Sequence, residues 1–138
     1  MTAPRPALAA RAPAPSDLLR ARPNPGVRHD YLVRLGGSLD HPATGAVALT
    51  LHYVPDRLIA DAAGFAAYLE ALGGARLDSL EALAARAIDD VSNAKVPRWA
   101  RVTATADAAA AGGAHAVLVE DSQPGWSNDP LLSVLAPF

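Results

Sequence analysis

Cysteine is absent from this 138-residue chain, which removes disulfides, thiolate metal ligands and thiolate nucleophiles together. Any covalent chemistry must use another group. No apolar run approaches the roughly 18 residues that span a bilayer, and no membrane partner is expected. A net charge of −2 with both signs interspersed leaves no basic face to neutralise phosphates, which argues against nucleic acid as a partner. The partners left are small molecules and other protein chains.

What is present is organised. One domain is expected at this length. Residues 1–22, "MTAPRPALAARAPAPSDLLRAR", are rich in Pro, Ala and Arg and lack the apolar core of a signal peptide. They read as a flexible extension, and a cytoplasmic protein is the expectation. The domain proper is assigned to residues 23–121 and a tail to residues 122–138.

Within the domain, "DYLVRL" (30–35) and "AVALTLHYV" (46–54) have strand character with one buried face. Gly36, Gly37, Pro42 and Gly45 mark a loop of about ten residues between them. From position 58, apolar residues at 58, 62, 65, 69 and 72 follow a helical stripe, and Gly73-Gly74 supplies a left-handed stop. A second stripe runs through Leu77, Leu80, Ala84, Ile88 and Val91, with Asp78 or Ser79 as cap. Strand-like "RWARVTATA" (98–106) and "HAVLVE" (115–120) follow, joined through a turn at 111–113. The order ββααββ predicts an α+β fold, a four-stranded antiparallel sheet with two helices on one face. In the tail, Leu131, Leu132, Val134, Leu135 and Phe138 form an apolar cluster expected to dock on this domain or a neighbour. Two open sheet edges favour pairing with further copies, so a homo-oligomer is expected.

The run "HPATG…ALTLHYVPDRLIADAAGFAAYLEAL…SLEALAARAIDD…PRWARVT…GGAHAVLVE" resembles the queuosine-pathway 7-cyano-7-deazaguanine reductases, nitrile reductases of the tunnelling fold. The resemblance spans residues 24–120 and includes "YVPD" at 53–56, Tyr68, "IDD" at 88–90, "PRW" at 97–99 and the glycines at 112 and 113. It implies a tunnelling fold with ligand sites between subunits and a planar purine-, 7-deazaguanine- or pterin-like ligand. It also implies that Glu81 is the anchor, because a carboxylate is acceptor-only and matches two parallel N–H donors on the heterocycle edge. The plainer reading of Glu81 is a solvated first-turn residue favoured by the helix dipole.

The chemistry of that family is not preserved. Its thiolate adds to the nitrile, and His41 in "HPATG" stands at the cysteine's place; an imidazole lacks the softness and nucleophilicity of sulfur. The residues that carry the family's proton-donating aspartate are missing after the Thr-Gly. Where the family reads "ELKSLKLY", this chain reads "DAAGFAAY" (61–68), so Ala63, Gly64 and Ala66 replace phosphate-suited side chains. Ala111 replaces an arginine and Leu80 a histidine. No cofactor is expected, NADPH included. As candidate catalytic residues, His41 would act as acid or base, with Asp40, or Asp30 or Asp61 through space, setting its tautomer. Alternatives are a non-catalytic subunit that partners another tunnelling-fold protein, and metal-dependent hydrolysis as in cyclohydrolases, drawing on His29, His52 and His115. The spacing of these histidines builds no metal motif, and none is assigned.

Overall fold

The computed structural model describes residues 14–106 and 113–135. Its main sheet has four antiparallel strands in the order β2 (Val33–His41), β3 (Gly45–Val54), β5 (Trp99–Ala106) and β6 (His115–Ser122). Helices α1 (Ala62–Leu72) and α2 (Leu80–Lys95) sit between the two hairpins in sequence and cover one face. A two-stranded ribbon, β1 (Ala21–Pro23) with β4 (Leu58–Ala60), lies beside them. The expected ββααββ order is therefore the observed one, with the small ribbon added.

Strand alternation decides which face is dry. Leu39, Val47, Leu49, Leu51, Tyr53, Val102, Ala104 and Ala106 point to the helices and are buried. The α2 stripe Leu80, Leu83, Ala84, Ala87, Ile88 and Val91 closes over them, and α1 adds Phe65, Tyr68, Leu69 and Leu72. Each large aliphatic side chain so buried contributes about 1.5–3 kcal/mol. Ser79 is the α2 cap, its Oγ accepting from Ala82 N–H at 3.0 Å.

The β2–β3 connection differs from the expected long loop. β2 runs on through Gly36 and Gly37 to His41, pairing with β3 residue by residue until His41 meets Gly45. Glycine here is not loop punctuation: a Cβ at Gly37 would lie 2.7 Å from Leu69 Cδ1. Gly37 lets α1 rest on the strand. Gly73 serves the same contact. Its φ of −60° is right-handed, not the expected left-handed stop, and a Cβ there would lie 2.4 Å from the Asp40 carbonyl oxygen. The first helix also begins later than the stripe from 58 suggested, because Leu58–Ala60 is spent pairing with Ala21–Pro23.

That pairing brings in residues assigned to the extension. Pro15–Leu18 form a 3-10 turn, Leu19 is buried, and the buried Lys95 donates from Nζ to the Leu19 carbonyl. Residues 1–13 of the extension, residues 111 and 112 of the expected turn and Phe138 of the apolar cluster lie outside the described residues. The tail docks on its own domain. Asn128 Nδ2 donates to Asp30 at 3.0 Å and Gln123 Nε2 to Asp56 at 3.0 Å, before a short helix α3 (Asp129–Leu132). Among the described residues no helix is long and apolar enough to cross a membrane.

Candidate functional site

Two motifs shared with the resemblance are explained by packing. Arg98 of "PRW" donates to the carbonyls of Val27 and His29 and to the carboxylates of Asp30 and Asp56, so it ties three loops at one end of the sheet. The bonds from Asn128 and Arg98 hold the Asp30 carboxyl below its ordinary value. Tyr68 donates to the buried Asp90 at 2.8 Å, and Arg86 closes the group at 3.1 Å. Burial, then the bond to Asp90, pushes the Tyr68 hydroxyl far up.

The cleft of interest opens at the other end of β2. Here the chain leaves β2 at His41, turns through residues 42–44 and enters β3 at Gly45, whose φ of 74° only glycine adopts freely. Facing the turn are the start of α2 and the adjoining ends of β5 and β6. Together they line a cleft of about 600 Å³ that includes Thr44, Ser79, Glu81, Ala106 and His115. Glu81 stands in the first turn of α2 with its side chain 63% exposed, and His115 Nε2 lies 3.1 Å from its Oε1. The spacing of the two residues, 34 positions apart, does not announce the pair. It follows from the register Ala106↔His115, which brings the first residue of β6 beside the cleft that Ala106 also lines, and a strand pairing drawn from sequence could have found it.

His41 does not reach into this cleft as an available base. It is 5% exposed; its Nδ1 accepts from Ala43 N–H at 3.1 Å and its Nε2 lies 2.7 Å from the Ala75 carbonyl. A carbonyl can only accept and an amide N–H only donate, so the ring is the Nε2–H tautomer with both nitrogens engaged. The tautomer is thus fixed by backbone, not by Asp40, Asp30 or Asp61 as the sequence suggested. Asp40 is exposed and contributes its carbonyl to the contact with Gly73. His41 braces the turn against the loop between the helices.

The other histidines are dispersed. His29 sits in the loop after β1, His52 on the uncovered face of β3 and His115 at the start of β6. Among the described residues no three His, Asp or Glu side chains come together in a metal-holding group.

No family model matches the chain, and no curated protein matches it. Among solved structures it is similar to the archaeosine synthase QueF-Like in its apo form. The identity is 21%, the TM-score 0.57, and the match covers 69% of this chain and 97% of that one. The chain has the tunnelling fold. At that identity the likeness carries the fold, and the α+β architecture with helices on one face agrees with it.

Proposed function

We propose that this tunnelling-fold protein binds a planar purine-, 7-deazaguanine- or pterin-like heterocycle at Glu81, in a pocket completed by a second copy. The observation that carries the reading is the position of the Glu81 carboxylate: it borders the cleft beside the turn that holds the resembled family's nucleophile. Its side chain is exposed and offers acceptors to a ligand's N–H edge. His115 beside it supplies a second polar group that can accept or donate. The cleft is open to solvent, and the unpaired edges of β2 and β6 suit ring closure by further copies. The neighbour's name, archaeosine synthase, agrees with a heterocycle of this class.

The chemistry differs from thioimide-based nitrile reduction. The chain has no thiol, and the segment corresponding to the family's NADPH-binding motif lacks cationic side chains. At Gly64 a Cβ would lie 2.7 Å from the Leu18 carbonyl, so the N-terminal segment packs against that position. The engagement of both His41 nitrogens favours a second reading, a non-catalytic binding subunit that partners another tunnelling-fold protein.

Thermal unfolding with guanine, 7-deazaguanine, 7-cyano-7-deazaguanine and neopterin tests the binding. A ligand at 100 times its Kd adds about 2.7 kcal/mol, a gain that Glu81→Gln should abolish. No stabilisation by any of them, or equal stabilisation of the variant, removes the proposal. Sedimentation of the same samples reads the oligomer, and a monodisperse monomer removes the shared pocket. A stoichiometric tunnelling-fold protein that co-purifies selects the subunit reading.

A further inference from the structure

The face of the sheet turned away from the helices carries a charge pattern that the Glu81 site does not use. In register across the four strands stand Arg34, His52, Arg101 and Glu120. Arg101 is paired with Glu120, Nε to Oε1 at 2.7 Å, and its guanidinium lies over Trp99, 5.3 Å from the ring centroid. Arg34 has no ion-pair partner among the described residues. His52 Nδ1 is buried without a hydrogen-bond partner. Burial, then the two arginines, hold its imidazole below the ordinary pKa; Arg34 and Arg101 on the strands to either side make the spot electropositive. The next row presents Thr50 opposite Thr103. Leu118 from β6 and Val134 and Leu135 from the tail wall the groove, whose volume is about 600 Å³.

We infer that this groove is a second binding site, for a small amphiphilic carboxylate whose head lies between Arg34 and Arg101 and whose apolar body lies along Leu118 and Leu135. Guanidinium forks match a carboxylate in bidentate geometry. The backbone N–H groups of β3 and β5 are taken up by pairing on both sides, so no amide cradle of the kind that holds phosphates exists here. The apolar wall and the volume fit a ligand of drug-like size. One positive charge remains after the Arg101–Glu120 pair is counted, which suits a monoanion. The inference is independent of Glu81.

Titration of the full chain with octanoate, octanamide and inorganic phosphate, read by tryptophan fluorescence through Trp99 and by equilibrium dialysis, tests it. Octanoate should bind saturably and octanamide much more weakly. Arg34→Gln and Arg101→Gln should each weaken octanoate by about tenfold or more, the loss of one charged hydrogen-bonding partner. Arg34→Lys should recover only part of the affinity, while Arg57→Gln, the same charge change at an exposed position outside the groove, should leave it unaltered. Absence of saturable octanoate binding overturns the inference. So does equal binding by octanamide, equal weakening in Arg57→Gln, or phosphate binding tighter than octanoate with the same dependence on Arg34 and Arg101.

Discussion

Replacing His41 separates a bracing role from a chemical one. The buried imidazole links three pieces of chain: β2, the turn at Ala43 and the interhelical loop at Ala75. His41→Ala removes two hydrogen bonds, each contributing about 0.5–1.5 kcal/mol, and leaves the half-buried Ala75 carbonyl to find water. It also empties the volume of a ring that is 5% exposed, adding about 1–2 kcal/mol at the low end of large-to-small losses. The sum is about 2–5 kcal/mol. With a urea m-value of about 2 kcal/mol/M, the midpoint should fall by about 1–2.5 M. Two further variants partition the loss. His41→Gln can still donate to Ala75, and His41→Asn can still accept from Ala43, so both should unfold between the alanine variant and the parent. Urea unfolding followed by far-UV circular dichroism gives all four midpoints. If His41→Ala unfolds with the parent's midpoint, the brace does not exist in solution. The ring would then be available for the acid–base role that its buried geometry denies it.

The glycine pair after α1 should respond asymmetrically. Gly73→Ala drives a Cβ to within 2.4 Å of the Asp40 carbonyl and should destabilise by about 1–3 kcal/mol. Gly74→Ala meets nothing nearer than 3.6 Å and should be neutral or gain up to about 1 kcal/mol; equal effects on the urea midpoint would refute the close approach. Val96 ends α2 at φ 45° and ψ 55°, a conformation that costs a side-chain-bearing residue about 1–2 kcal/mol. Because Val96 is 59% exposed, Val96→Gly loses little burial. After the entropy that glycine adds to the unfolded chain, it should gain about 0.5–1 kcal/mol, seen as a Tm rise of about 2–4 °C. A lowered Tm would contradict the left-handed cap. His52, whose folded pKa lies below the ordinary 6.5, binds its proton more readily in the unfolded chain. Its contribution is therefore present above pH 6.5 and is lost as pH falls through the folded value. His52→Gln should flatten the decline in unfolding free energy between pH 7.5 and about 5; an unchanged slope would show that the ring titrates normally.

The fold was legible because its signals are local and periodic. The stripe Leu80, Ala84, Ile88, Val91 and the alternation Leu49, Leu51, Tyr53 each report one buried face, and two amphipathic helices need a sheet face to cover. The differences lie where a residue serves a distant contact. Gly37 and Gly73 exist for the approach of α1 to β2, a tertiary demand that leaves the same letter in the sequence as a turn. Leu58 fits the helical period yet belongs to a ribbon whose partner, Ala21–Pro23, lies more than thirty residues earlier in a stretch whose composition reads as disordered.

The candidate site divides along the same line between local pattern and distant contact. A histidine in a Pro- and Gly-flanked turn offers two nitrogens, and sequence alone cannot say whether backbone will claim them. The fold claims both, through Ala43 two residues away and Ala75 thirty-four residues away. Glu81 is the opposite case: helix-cap chemistry put a glutamate in the first turn, and the fold leaves its carboxylate uncommitted to any backbone group. Its neighbour is His115, itself a side chain that can exchange partners. Binding free energy comes from groups whose partners can change and stability from groups whose partners cannot. By that criterion Glu81 and His115 are the groups the proposed ligand would engage, and His41 belongs to the scaffold.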